Sequence, residues 1–296
     1  MRFSSQFHCT GLLGFAVRDA EYDSYMARLA MALLFLLFSA IAAAQDSTLP
    51  DGSQTRWVVE EPQEIVAYVA FDPVTVKREL PPRLRFVELR EIAMSGIPWA
   101  IDYLAKHPAE GDWGISFFEI VRFGTFTIDG RAPHWPKGGA AALWFARVVS
   151  SDPAVNLGPG RPYLAMEFLM PDKAYVAYMR KKGYYAGFGH VKLLQESDGT
   201  WQGMVKAAGL SVTAACIPAG GVIGGAGSAG AQEIFPPLSF SVGNIVRVAF
   251  TGHREQDCGS GSSLEIRGDH ALADGTALEP MVFEYGYSLS GGTYPE

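Results

Sequence analysis

From Glu64 to Phe71 the chain reads Glu-Ile-Val-Ala-Tyr-Val-Ala-Phe, a run rich in branched and aromatic residues that predicts a strand. Asp72-Pro73 follows as an N-cap and a proline at the first helical position, predicting a short helix over Pro73–Leu80 that stops at Pro81-Pro82. A second helix is predicted over Pro98–Lys106, ended by His107-Pro108. Ile115–Ile128 reads as one long strand, and Ala141–Val149 and Pro162–Leu169 as two more. Pro171-Asp172 opens a helix to about Lys182. Strands are predicted at His190–Gln195, Thr200–Lys206 and Leu210–Cys216, the first two joined by the turn Ser197-Asp198-Gly199. Glycine- and alanine-rich Ala219–Ala231 predicts a loop, and the last strands fall at Ser239–Phe250, Ser263–Arg267 and Val282–Ser288. No fixed-period repeat is present. Many strands with few short helices predict an α+β fold: an antiparallel β-barrel or strongly curved sheet with helices packed outside.

One apolar run is not a strand. Leu29–Ala44 is broken only by Ser39, preceded by Arg28, and ends in Ala42-Ala43-Ala44 before Gln45-Asp46. That is the pattern of a signal peptide with a small-residue cleavage site, and the run is short for a spanning helix, which needs about 20 residues. Asp19, Glu21 and Asp23 are out of place in a leader, so Met26 is the expected start. The expected organisation is an N-terminal extension and signal peptide over 1–44, a flexible lead over 45–55 and one domain over 56–296. A periplasmic or secreted protein follows, with no membrane association after cleavage; a retained anchor is the alternative. Cleavage removes Cys9 and leaves Cys216 and Cys258, whose pairing is expected in an oxidising compartment. Two separate thiols are the alternative.

Composition narrows the partners. Of 296 residues, 48% are hydrophobic, and the net charge is -7, so disorder is excluded and a nucleic-acid partner is not expected. Gly220–Gly227 lacks the Lys-Ser/Thr that closes a P-loop. His107, His134, His190, His253 and His270 contain no H-x-x-x-H spacing, the cysteines no C-x-x-C, and no G-x-S-x-G elbow exists. Neither a metal nor a cofactor is expected. The expected partner is a small molecule, with a homo-oligomer left open.

Several segments in order are similar to one family. Gln63-Glu64-Ile65-Val66-Ala67-Tyr68 with Asp72 and Leu80-Pro81 is similar to an opening strand and short helix. Phe118-Glu119-Ile120 is similar to a strand carrying an inward glutamate. His190-Val191-Lys192-Leu193, Ser197-Asp198, Gly203 and Leu210–Ala214 resemble a hairpin and its following strand, and Ser263–Ile266 with His270 and Ala273 a strand and its turn. Together these resemble the acetoacetate decarboxylase-like family. The resemblance implies a lyase acting on a small oxo acid through a lysine Schiff base, which requires a lysine made neutral by desolvation and nearby cations. The family's Tyr-Pro-Lys-Lys-x-Gly pattern falls, without gaps, on Tyr184-Tyr185-Ala186-Gly187-Phe188-Gly189. A shifted frame supplies Arg180-Lys181-Lys182-Gly183. The family's substrate-binding arginine falls on Gln63.

The candidate residues are therefore Lys181 or Lys182 as nucleophile, Glu119 as a polar catalytic group, and Glu64 and His190 as substrate-binding groups. Each also has a structural reading. Cations suit a helix C-terminus. Glu64 and Glu119 lie in apolar strands, where a carboxylate needs a partner, and Arg122 or Arg147 could supply one to Glu119. His190 could simply be hydrogen-bonded at a strand start. An exported barrel that binds a small apolar or oxo-acid ligand without a Schiff base is the alternative function.

Overall fold

In a computed structural model the chain divides into two units, Met1–Asp46 and Ser47–Glu296. The structure describes residues 56–294 except 79, 81–83, 136–138, 153–161, 226–228, 236–244, 274 and 279–280. The predicted leader, its cleavage site and the flexible lead lie outside the described residues. No helix among the described residues is long and apolar enough to cross a membrane.

The strands in chain order are β1 (Arg56–Glu60), β2 (Gln63–Phe71), β3 (Leu84–Phe86), β4 (Gly114–Arg122), β5 (Thr125–Ile128), β6 (Ala141–Ser150), β7 (Pro162–Met170), β8 (Ala186–Gln195) and β9 (Trp201–Ala207). They continue with β10 (Leu210–Cys216), β11 (Pro218–Gly224), β12 (Ala229–Phe235), β13 (Ile245–Thr251), β14 (Arg254–Cys258), β15 (Ser263–Arg267), β16 (Thr276–Ala277), β17 (Val282–Tyr285) and β18 (Ser288–Tyr294). Three helices accompany them: α1 (Leu89–Met94), α2 (Pro98–Lys106) and α3 (Lys173–Lys181). The result is the α+β class, a curled half-barrel sheet with few helices.

The curl comes from one line of bends. β14, β17, β2 and β4 are neighbours in that order, and so are β13, β18, β1 and β5. Each strand of the first set continues into its counterpart in the second, and the register is unbroken across the junctions: Thr251 faces Ser288 and Arg254 faces Tyr285, Glu60 faces Thr125 and Gln63 faces Arg122. This is a single four-stranded sheet folded along a crease at Gly252-His253, Gly286-Tyr287, Glu61-Pro62 and Phe123-Gly124. Gly252 (φ 80°) and Gly286 (φ 70°) adopt backbone conformations that L side chains resist. Pro62 cannot donate to the ladder. The crease is laced by Glu61 N–H donating to Tyr287 O (3.1 Å), Gly286 N–H to Pro62 O (3.3 Å) and Gly124 N–H to Glu60 O (3.0 Å).

Inside the fold, Trp57 and Val59 of β1 and Phe126 and Ile128 of β5 share one apolar cluster with Val66, Phe117 and Val121. α3 closes this cluster with Tyr175, Val176 and Met179. On the far face of β2 and β4, Ile65, Phe118 and Ile120 meet Val191, Leu193, Val205 and Val212 from the β8–β9–β10–β15 meander. The meander shows the alternation its sequence promises, with Val191 and Leu193 buried and His190 and Lys192 exposed. β4, covered on both faces, is buried almost throughout.

The sequence reading needs several corrections. Pro73–Thr75 is one 3-10 turn, not a helix to Leu80: Asp72 caps it, but Val76 is already extended, as the β-branched Val74-Thr75-Val76 run favours. Ile115–Ile128 and Val282–Ser288 are bent at the crease. The predicted loop Ala219–Ala231 contains most of β11 and the start of β12, because cross-strand partners in β14 and β13 override the weak propensity of glycine. α1 was not foreseen; its Glu88–Glu91 capping box and the two bonds from Arg85 to Glu91 (2.8 and 2.6 Å) stabilise a helix of six residues. Part of the predicted Ser239–Phe250 strand lies outside the described residues.

Cys216 and Cys258 are joined, with Cα atoms 5.0 Å apart, and the bond ties the meander to the end of β14. Cys258 is the last residue of β14. Closing a sequence separation of 42 removes denatured-state entropy worth about 4 kcal/mol on the chain-entropy account. The Cys216→Ala/Cys258→Ala protein should lose stability of that order in urea unfolding. An unchanged midpoint would show that the crosslink constrains nothing.

Candidate functional site

Two residues inside the crease, three strands each present a glutamate to the interior. Glu255 of β14 faces Glu284 of β17, and Glu284 faces Glu64 of β2. Neighbouring strands lie about 4.8 Å apart, and like charges directly opposite are destabilising. Glu119 stands on the same face, opposite Val66.

Partners come from the crease itself. The Tyr287 hydroxyl donates to Glu64 Oε1 at 2.6 Å. His253 Nε2 lies 2.7 Å from Glu284 Oε2, and its ring is 5.8 Å from that of Tyr287. Glycine places both groups: a Cβ on Gly252 would stand 3.0 Å from Gly286 O and 3.8 Å from the Tyr287 Cα. Glu64 is 1% exposed, and its Oε2 has no hydrogen-bond partner. Among the described residues, no hydrogen bond or ion pair reaches the Glu119 carboxyl group. Neither Arg122 nor Arg147 serves it. Arg122 turns to the other face, bonding Gln63 and lying 5.2 Å over the Trp201 ring.

The electrostatics follow from this enclosure. Burial, and then the charge of Glu284, pushes Glu64 up to about 8, against the opposing pull of Tyr287 and His253. Burial, with Glu64 and Glu284, holds Glu119 well above the usual carboxylate range. Glu119 is partly accessible although its flanking residues on β4 are buried. Burial lowers His253, but the hydrogen bond and charge of Glu284, with Glu255 and Glu64, together raise it. At neutral pH the cluster thus offers the neutral carboxyl groups of Glu64 and Glu119, with a phenol and an imidazole beside them.

The structure brings Glu64 and Glu119 together and leaves the other sequence candidates elsewhere. Lys181 is exposed at the end of α3. Lys182 caps that helix and holds Asp129 at 2.6 Å. Asp129 also accepts from Arg56 N–H at the far end of β1, about 17 Å of strand from the crease. His190 is exposed on β8, beside Phe188. Ala186, where the gap-free alignment puts the first family lysine, does join the interior cluster with Trp57, Phe168 and Tyr184. Gly187 turns to the opposite face, toward Leu169 and Glu167.

Sequence reasoning missed His253, Glu255, Glu284 and Tyr287. His253 and Glu255 are two apart, hence on one face of an extended chain, and Glu284 is across the ladder. Their ligand atoms lie within 4.8 Å of one another, a grouping able to hold a metal ion. The search for H-x-x-x-H could not find it, because the ligands come from two strands.

No family model matches the sequence, and no curated protein matches it. Solved structures similar to this chain include an acetoacetate decarboxylase-like enzyme from Sphingomonas wittichii RW1, at 13% identity and a TM-score of 0.45, covering 85% of this chain and 97% of that one. They also include the enduracididine biosynthesis enzyme MppR complexed with pyruvate, at 12% identity and a TM-score of 0.42, covering 83% and 91%.

The Glu64 environment sets a pH dependence. Below its ordinary 4.5 both folded and unfolded chains are protonated. Between 4.5 and about 8 the unfolded chain ionises while the native group stays neutral, so stability falls through that window and levels above it. Raised Glu119 and His253 act in the same direction, whereas the lowered Glu91, Asp129, Glu167 and Asp172 have made their contribution by about pH 5. In urea titrations of chelator-treated protein, Glu64→Gln should lose less stability between pH 5 and pH 8 than the native chain, by on the order of 2 kcal/mol. Parallel curves would refute the assignment.

Proposed function

We propose that the protein binds a small carbonyl compound, of the oxo-acid class or near it, in the crease of its folded sheet, and does so without a Schiff base. The observation that carries this reading is the carboxyl of Glu119, which no hydrogen bond or ion pair among the described residues reaches. An unpartnered buried polar group costs about 1–3 kcal/mol. A ligand oxygen that accepts from the neutral Glu119 carboxyl would recover that cost on binding. A protonated carboxyl group in an apolar site is a known device for holding a carbonyl oxygen.

The lysine Schiff base implied by the family resemblance finds little support. Among the described residues no lysine is buried; Lys182 is 30% exposed and engaged with Asp129. Desolvation cannot neutralise an amine that remains in water. The interior position open to a lysine in the gap-free alignment carries the methyl group of Ala186. The leader-like Leu29–Ala44 segment, together with the Cys216–Cys258 disulfide, supports a location in the periplasm or outside the cell.

The test is a panel of small oxo acids, 3-oxo acids first, titrated calorimetrically and then treated with borohydride. At least one should bind saturably, with affinity lowered tenfold or more in Glu119→Gln and unchanged in the Lys181→Met/Lys182→Met protein. No reduced adduct should appear. An adduct mapping to Lys181 or Lys182 would overturn the reading in favour of the lyase, and binding indifferent to Glu119→Gln would remove the site from the crease.

A further inference from the structure

His253, Glu255 and Glu284 form a grouping that a carbonyl ligand does not use. His253, just before β14, and Glu255, in β14, are two apart along the chain, Glu284 lies directly across from Glu255, and each offers one ligand atom to the grouping. Those atoms are mutually within 4.8 Å. A first-row cation binds imidazole nitrogen and carboxylate oxygen at about 2.0–2.2 Å, so ligand atoms around it lie roughly 3–4.4 Å apart. The three groups therefore need rotamer adjustments of ångström scale, not backbone movement.

A second observation points the same way. Glu64 is next in the row, directly opposite Glu284 on the same face, and is almost wholly enclosed. Tyr287 occupies its Oε1 and leaves Oε2 without a partner. A buried oxygen lacking a donor, beside a His-Glu-Glu grouping, is the fourth ligand that such a grouping lacks.

We infer that His253, Glu255 and Glu284, with Glu64 Oε2 completing the set, bind one divalent first-row transition-metal ion. One imidazole and several carboxylates suit Zn²⁺ or Mn²⁺ better than Ca²⁺, which prefers six to eight oxygens. The ion would remove the repulsion along the row, and the Tyr287 hydroxyl would orient Glu64 toward it, as outer groups commonly orient metal ligands. This inference does not depend on the carbonyl ligand, because metal binding is read without it.

The full chain, stripped with chelator and returned to metal-free buffer, should take up Zn²⁺ at one equivalent in calorimetry. Bound Co²⁺ should give a visible d–d spectrum that Zn²⁺ abolishes. His253→Ala should weaken Zn²⁺ at least a hundredfold and remove the Co²⁺ spectrum, Glu64→Gln should weaken it about tenfold, and His134→Ala, on an exposed loop, should change nothing. Circular dichroism identifies variants that fail to fold, and Glu255→Gln then stands in for His253→Ala. No saturable one-to-one uptake, or uptake unchanged in folded His253→Ala and Glu255→Gln proteins, overturns the inference. Metal binding with no oxo-acid binding would retain the cation site and discard the proposed ligand; the converse would do the opposite.

Discussion

A four-stranded sheet that folds over on itself without losing register must change direction in every strand at the same row. That constraint governs this protein. At the row, side chains on the inner face converge while the backbones diverge, so apolar filling is poor and backbone groups need new partners. Gly252, Gly286, Pro62 and Gly124 solve the backbone part, and the bonds from Glu61 to Tyr287 and from Gly286 to Pro62 close the ladder. Farther from the row, the two halves separate enough for Trp57, Phe126, Val66 and Val121 to interleave as an ordinary core. The polar cluster occupies the wedge between these regimes.

This geometry makes enclosure and chemistry two results of one bend. Glu64, Glu284 and Glu255 sit together because the register that joins β2, β17 and β14 is the same register that carries the strands across the crease. His253 and Tyr287 are crease residues themselves, so the groups that touch the carboxylates are also those whose backbone makes the turn. A mutation that relaxed the bend would move both at once.

Much of this fold was legible in the sequence, and the reason is local. The meander strands alternate cleanly, α2 and α3 carry proline or aspartate at their starts, and the hairpin at Asp198-Gly199 has its own turn chemistry. Glu64 and Glu119 stood out because a carboxylate inside an apolar run is costly wherever the run lies. The crease was not legible, since Phe123-Gly124 and Gly286 read as minor interruptions until four of them are seen to align. Their alignment is a property of register, and register is set by partners far away in the chain. His253 and Glu284 were missed for the same reason. The Lys181-Lys182 pair attracted notice through a resemblance of pattern, but a helix C-terminus is where cations belong on electrostatic grounds alone.

A second buried carboxylate shows why the crease cluster, rather than any enclosed acid, marks the site. Glu167 lies on the opposite face of the sheet, as enclosed as many core residues. Arg78 reaches its Oε1 at 2.8 Å, His270 Nε2 lies 3.1 Å from Oε2, and the Leu272 N–H donates to His270 Nδ1 at 3.2 Å. That last bond leaves Nε2 as the donor, so each member of the chain is satisfied. Burial pushes Glu167 up, but the hydrogen bond from His270 and the charge and hydrogen bond of Arg78 prevail and hold it below its ordinary value. The group is ionised, paired and structurally complete, and it fastens the turn around His270 to β7. Glu64 and Glu119 experience the same desolvation without an arginine to answer it; His253 and Tyr287 oppose the rise at Glu64 but do not prevail, and both groups remain neutral and short of partners. Identical side chains in comparably buried strands have thus been driven to opposite protonation states. The difference lies in whether the protein supplies the partner or leaves that place to something it binds.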